Sequence, residues 1–184
     1  MFNDLERKKL EKLVVAKYPF LRRRDIDGTV DIESKFPLMS LEIPTGWRRL
    51  FFQMCDDIKP LLEKEGVLND FYFLQVKEKY NELICYSNGV DSHDVEDIIS
   101  KYQHLARYIC TKCGKLAAYE TYGYIASFCD DCWNDCVRHQ KTESIEFQPY
   151  YNTTVFTYGE RYDKTISFED EWNRYVKEGS HEEF

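Results

Sequence analysis

The stretch that decides the fold is Cys110-Thr111-Lys112-Cys113-Gly114, followed by Cys129-Asp130-Asp131-Cys132. These are two C-x-x-C pairs, and the chain between them is within the range of about 15 to 20 residues that is typical of a four-cysteine zinc site. Each pair offers two thiolates from one tight loop, and four thiolates satisfy the tetrahedral preference of Zn²⁺. Gly114 supports this interpretation because the residue after such a loop often needs a positive φ, which glycine adopts without steric cost. We therefore predict a structural zinc site with Cys110, Cys113, Cys129 and Cys132 as ligands.

Two further residues leave the ligand set open. Cys136 and His139 follow Cys132 at helical spacing, so either one could replace a cysteine in the tetrahedron. Disulfides are the other alternative. Residues 1 to 20 carry charges throughout and show no signal peptide, so we expect a cytoplasmic protein, and a reducing compartment disfavours disulfides. A metal ion is the better explanation of the pattern.

The residues between the two pairs predict a β-hairpin with its turn at residues 120 to 123. Together with the cysteines, this hairpin is typical of a zinc ribbon, which we place at residues 110 to 141. Residues 1 to 109 would form the body of the protein. Residues 142 to 184 would form an acidic extension with short strands, a final helix capped at Ser167 and a net charge of -6.

Hydrophobic periodicity predicts three helices and a hairpin in the body. The first helix would start at Asn3 or Asp4, end before Pro19 and turn its apolar residues toward the core. The second would run from Thr45 to Gly66, with a kink or an early end at Pro60. The third, capped by Asp91 or Ser92, would lead directly into Cys110. The apolar residues assigned to the inner side of the first helix are Leu5, Leu10, Leu13 and Val14.

Two extended segments, residues 71 to 77 and 83 to 87, predict an antiparallel pair joined by residues 78 to 82. A short strand is also expected at residues 29 to 33, after a turn at Asp27-Gly28. The fold class predicted from these elements is α+β, with amphipathic helices packed on a small antiparallel sheet and an embedded four-cysteine zinc ribbon.

Charge is distributed unevenly along the chain. The formal net charge is -8, which opposes a general affinity for nucleic acid. Residues 5 to 24, however, contain eight basic residues against two acidic ones, a local balance of +6 that leaves -14 for the rest. Such a strip can bind a polyanion or an acidic protein surface, although it is more often a solvated helix face. No apolar run has the length of about 18 residues that a membrane span requires.

The chain also resembles a family of small uncharacterised bacterial and phage proteins. The resemblance rests on Gly46-Trp47 before a helix, the strand Gln75-Val76-Lys77-Glu78-Lys79-Tyr80, and the cysteine pairs, and it covers roughly residues 9 to 134. It implies a standalone cytoplasmic protein of bacterial or mobile-element type and brings no established activity. Asn81-Glu82 stand where the motif is associated with small glycines.

Three hypotheses for the function follow. The first is a zinc-stabilised protein that binds another protein and acts as an immunity, anti-defence or regulatory factor. The second is an enzyme with a charged cluster of Lys77, Glu78, Lys79 and Glu82 and with His93 or His104 as a general base. The third is nucleic-acid binding through residues 5 to 24, which the overall charge makes the weakest. The candidate functional surface comprises Lys77, Glu78, Lys79, Glu82, Arg22, Arg23 and Arg24.

Overall fold

A computed structural model describes residues 4–25, 27–121 and 125–139 and three short strands at 147–149, 155–157 and 165–167. These residues form four α-helices and three small sheets, so the predicted α+β class is confirmed. The helices are α1 (Asp4–Lys17), α2 (Arg48–Glu65), α3 (His93–Ala106) and α4 (Asp130–His139). None of the helices in this part of the chain combines the length and the apolarity that a bilayer span requires.

The sheet of the body contains β1 (Leu41–Glu42), β2 (Tyr72–Lys79) and β3 (Glu82–Asn88), in that order. The antiparallel pairing of β2 with β3 confirms the predicted hairpin. The turn between them is only Tyr80-Asn81, shorter than predicted, and both residues have positive φ. The sequence did not predict β1, which pairs in parallel with Val76 and Lys77 of β2 and occupies the edge of the sheet.

The core lies between α2, the sheet and α3. One face of α2 is buried along its length, as its helical periodicity predicts. Aromatic residues of the sheet and the preceding loops cover this face, and α3 closes the other side. Burying a large apolar side chain stabilises the fold by about 1.5 to 3 kcal/mol. The fully buried large residues are Trp47, Tyr18, Phe20, Phe51, Phe71, Leu21, Leu50, Met54, Ile58, Leu62, Leu83 and Ile109.

The inner face of α1 differs from the prediction. Leu5, Leu10 and Leu13 are exposed, and Glu11 and Val15 are buried. Of the four residues assigned to the inner side, only Val14 packs against the core. Glu11 tolerates burial because both of its carboxylate oxygens have partners: Arg7 Nε donates at 2.8 Å and the backbone N–H of Leu38 at 3.2 Å. The stripe of leucines therefore lies on the outside of the molecule.

Two smaller expectations also differ from the structure. Residues 29 to 33 form no strand, since only Val30 makes an isolated bridge, to Arg24. The early end of α2 at Pro60 does not occur, because the helix continues to Glu65 and ends at Gly66 as the other signals predicted. The final helix expected after Ser167 lies outside the described residues. The strands of the extension are β6 (Phe147–Pro149), β7 (Val155–Thr157) and β8 (Thr165–Ser167).

Candidate metal centre and its attachment to the body

The first cysteine pair lies on a tight loop that begins a few residues after α3. The backbone N–H of Cys110 donates to the carbonyl of Lys115 at 2.8 Å, and Gly114 N–H donates to the carbonyl of Cys110 at 3.0 Å. Gly114 has a φ of 78°, so the left-handed conformation predicted for it is confirmed. The loop turns back on itself and presents both sulfurs on one side.

The second pair is positioned by the start of α4. Cys129 immediately precedes the helix, Cys132 lies in its first turn, and the N–H of Trp133 donates to the carbonyl of Cys129 at 2.8 Å. The predicted hairpin between the pairs is present: β4 (Tyr119–Thr121) pairs with β5 (Ser127–Phe128), and β6 adds to the other side of β4. The second pair therefore belongs to a helix N-terminus, a detail that the spacing alone did not reveal.

The four sulfurs form one cluster. All of them lie within 4.8 Å of one another, and Cys113 Sγ is 3.5 Å from Cys129 Sγ. A tetrahedral zinc ion with Zn–S bonds of about 2.3 Å requires sulfurs about 3.8 Å apart, so the cluster has the dimensions of such a site. The cysteines are close enough to bind a metal ion.

The environment of the sulfurs acts on their pKa values in opposite directions. Burial raises the pKa of Cys113 and, together with the neighbouring thiols of Cys113 and Cys129, that of Cys132. Burial also acts to raise the pKa of Cys110, but backbone N–H groups, with that of Cys129 first, donate to its sulfur and lower the pKa overall. Thiolates this close repel one another, and a bound cation removes that repulsion.

Two ion pairs connect the first loop to α4. Lys115 Nζ lies 2.8 Å from Asp131 Oδ2, and Lys112 Nζ lies 2.7 Å from Asp135 Oδ2. Both pairs are exposed, so each contributes at most about 1 kcal/mol. The two pairs matter more for the surface charge than for stability, because each neutralises one of the lysines next to the cysteine cluster. Lys112 and Lys115 therefore offer little free positive charge to a phosphate backbone.

Gly46 and Trp47 attach the first loop to the body. Gly46 N–H donates to the carbonyl of Thr111 at 2.9 Å, and buried Trp47 Nε1 donates to the carbonyl of Ile109 at 3.1 Å. A Cβ atom at position 46 would lie 2.1 Å from the carbonyl oxygen of Cys110, closer than any real contact. Only glycine fits there. Trp47 belongs to the buried core, but no local pattern in the sequence indicates its contact with the cysteine loop.

Asn81 attaches the hairpin turn to the same unit. Its side chain is 1% exposed, and Nδ2 donates to Ser127 Oγ at 2.6 Å and to Glu120 Oε1 at 3.3 Å. Its backbone N–H donates to Glu78 Oε1 at 2.8 Å. Asparagine tolerates the positive φ of this turn better than most residues do, and it adds contacts that a glycine could not make. These contacts account for an asparagine at position 81, where the resemblance leads one to expect glycine.

The other charged candidates do not assemble into one site. Glu78 is used by Asn81, whereas the ammonium groups of Lys77 and Lys79 lie 5.6 and 5.3 Å from the rings of Tyr86 and Tyr80. Glu82 Oε1 lies 3.6 Å from Arg107 Nη1. Of the predicted cluster, only Glu82 reaches His104.

Glu82, His104 and Arg107 line a cavity of about 360 Å³. Burial and the charge of Arg107 lower the pKa of His104, and Glu82 acts in the opposite direction. The other candidate base, His93, lies elsewhere, with Nδ1 3.7 Å from Glu96 Oε2. The enzyme hypothesis therefore stays a prediction, and Glu82 with His104 is the part of it that the structure brings together.

The three consecutive arginines have different surroundings. Arg22 is exposed, whereas Arg23 and Arg24 are half-buried and donate to backbone carbonyls. Arg24 Nη1 donates to Gly28 at 2.8 Å, and its guanidinium lies 4.3 Å from the ring of Tyr72. Both inner arginines are therefore held in fixed positions.

No family model, curated protein or solved structure matches this chain. The resemblance to small bacterial and phage proteins thus stays a prediction. So does the replacement of a ligand by Cys136 or His139, because only the backbone of these two residues in α4 is described.

Proposed function

We propose that this protein is a zinc-stabilised module that binds an acidic partner protein through the outward face of α1. Four cysteine sulfurs fill the tetrahedral coordination of Zn²⁺ and leave no open position for a substrate or a water molecule. Such an ion stabilises the fold, so the activity of the protein must come from its surface. The immunity, anti-defence or regulatory role remains a prediction.

The exposed leucines of α1 are the observation that carries this proposal. Leu5, Leu10 and Leu13 are 64%, 41% and 68% exposed. On a helix with 3.6 residues per turn these positions span about 140° of one face. Single exposed leucines are ordinary, but three on one face of a short helix, with Lys9 among them, present apolar surface that a partner protein can cover.

The charges around this patch define the partner. Lys8, Lys9 and Lys12 have no carboxylate within ion-pair distance among the described residues, unlike Arg7 and Lys17, which pair with Glu11 and Asp56. A partner surface that covers the leucines would bring its own charges next to these three lysines. Acidic residues around an apolar centre satisfy both requirements.

Nucleic acid fits this surface less well. Of the eight basic residues in the strip, two pair with acids and two more use part of their donors on backbone carbonyls, which reduces the positive charge that phosphates can reach. The leucines would also gain nothing from a phosphate backbone. The four engaged residues are Arg7, Lys17, Arg23 and Arg24.

Affinity purification from cells of the source organism tests the proposal. The double variant Leu10→Glu/Leu13→Glu should capture at least tenfold less of an acidic protein than the wild type does. Ile32→Glu is the matched control, because Ile32 is equally apolar and 88% exposed but lies outside α1. Equal capture by the wild type and the double variant, or capture of nucleic acid alone, contradicts the proposal.

A further inference from the structure

The edge of the body sheet is only partly covered. β1 pairs with Val76 and Lys77, but β2 begins at Tyr72, so residues 72 to 75 have no strand beside them on this edge within the described chain. The segment before β1 does not extend this strand, because its backbone hydrogen-bonds elsewhere. Met39 N–H donates to the carbonyl of Leu21 at 3.0 Å, and Arg23 N–H donates to the carbonyl of Pro37 at 2.7 Å, which draws this segment away from β2.

A cavity of about 460 Å³ fills the resulting gap. Residues 72 to 75 form one wall, and residues 23 to 25 with Met39, Ser40 and Glu42 form the other. Met39 and Phe73 give it an apolar floor, since they are 9% and 2% exposed. Four fully extended residues span about 13 Å, and the irregularity between Phe73 and Gln75 makes this stretch somewhat shorter.

Arg23 and Arg24 bring unused hydrogen-bond donors to this cavity. Neither has a carboxylate within ion-pair distance in the described chain, and Arg24 Nε is buried without any hydrogen-bond partner. A guanidinium presents five donors in a planar fork that matches a carboxylate. Backbone carbonyls use two of the donors of Arg24, and the carbonyl of Leu38 uses two of those of Arg23.

Asp25 and Glu42 line the cavity as well, and both are exposed. The formal charges of the lining therefore balance, which disfavours a multiply charged anion such as a phosphate. A peptide that brings a single carboxylate to the arginines is compatible with this balance.

We propose that the uncovered edge of β2 binds an extended segment of a partner protein by strand addition, with Arg23 and Arg24 receiving one Asp or Glu side chain of that segment. The backbone of the segment hydrogen-bonds to residues 72 to 75, as in other complexes formed at open sheet edges. Its alternate side chains contact Met39 and Phe73. This site is separate from the leucine face of α1 and does not depend on it.

Selection of displayed random heptapeptides on the immobilised zinc-loaded full chain tests the inference. We expect enriched sequences with alternating apolar residues and an acidic residue at one fixed position. A synthetic heptapeptide from this set should shift the backbone amide NMR signals of residues 72 to 75 and of Arg23 and Arg24. Its affinity should fall at least tenfold in Arg23→Gln and in Arg24→Lys.

Arg22→Gln is the matched control, because Arg22 is a neighbouring exposed arginine outside the cavity; its affinity should change less than twofold. Thermal unfolding of each variant verifies that it is folded. Leu10→Glu/Leu13→Glu should bind the heptapeptide like the wild type, which separates this site from the α1 surface. The inference is overturned by the absence of enrichment, by peptide-induced shifts confined to α1, or by equal binding to the wild type and the Arg23 and Arg24 variants.

Discussion

The absence of a side chain at Gly46 allows the body to contact the backbone of the first cysteine loop directly. Its neighbours across the contact are backbone atoms, which cannot move aside as the end of a flexible side chain could. The Cys110 carbonyl that would meet a Cβ atom belongs to the loop that presents two of the sulfurs. The lack of a side chain at position 46 therefore lets the body set the geometry of the cysteine cluster.

Gly46→Ala should destabilise the fold and accelerate metal loss. Overpacking of this kind costs about 1 to 3 kcal/mol, and more where backbone must move. Chemical denaturation measures the stability, and transfer of zinc to a chromogenic chelator measures the release rate. Gly66→Ala is the control: it also introduces a methyl group, but nothing lies within 4 Å of it.

Gly66→Ala should reduce stability because of its positive φ while leaving zinc release unchanged. If both alanine variants released zinc at the wild-type rate, the contact of Gly46 with the cysteine loop would have no effect on the metal.

The helix α1 is the element for which the periodicity of the sequence did not identify the buried face. Leucine spacing suggested one face, but the fold buries Val15 and Glu11 instead. The reason is a contact distant in sequence: Glu11 accepts the backbone N–H of Leu38, which no pattern within the helix can indicate. A carboxylate with two donors can be buried where an unpartnered one cannot.

The leucine pattern implies that replacing Leu13 destabilises the protein more than replacing Val15 does. From the observed burial we expect the reverse. Leu13→Gln should change the free energy of unfolding by no more than about 0.5 kcal/mol, as expected for an exposed position. Val15→Ala should cost about 1 to 3 kcal/mol through a cavity in the core. Urea denaturation of both variants checks this, and a larger loss for Leu13→Gln would restore the original assignment of the faces.

The elements that sequence did predict share a local origin. The second helix and the β2–β3 hairpin have their periodicity and turn residues within one continuous segment, and the cysteine spacing is equally local. What escaped prediction depends on distant residues. β1 is two residues long and is defined only by Val76 and Lys77, 35 positions further along the chain. Likewise, Trp47 and Asn81 gain their roles from Ile109 and Ser127.

At the scale of the whole molecule, the cysteine cluster and the body should unfold as one unit. Helix α3 leads into Cys110, and the contacts of Gly46, Trp47 and Asn81 cross between the cluster and the body. Metal binding to the cysteines is thermodynamically linked to folding. Losing the ion should therefore reduce the stability of the entire chain.

Cys113→Ser should lose about one equivalent of zinc per chain and more than about 4 kcal/mol of stability, because loss of a structural metal is among the most damaging changes. Elemental analysis and thermal unfolding measure the two effects. Cys85→Ser, a half-buried cysteine on β3, is the control that should keep its zinc.

Full zinc retention by Cys113→Ser would show that the ligand assignment is wrong. Cys136→Ser and His139→Ala then identify the residue that replaces Cys113. A wild-type chain purified without any metal would contradict the zinc site itself.

The hydrogen bond from Trp47 to Ile109 also has a consequence for synthesis on the ribosome. The two residues are 62 positions apart, so at about 5 to 20 residues per second the indole leaves the ribosome about 3 to 12 seconds before its acceptor. When Ile109 emerges, the residues of the sheet and of α2 have already been synthesised. Until then, the surface that contacts the cysteine loop is exposed to solvent. The nascent chain thus passes through an interval in which a chaperone, or a second nascent chain, can reach that surface before the cysteine loop covers it.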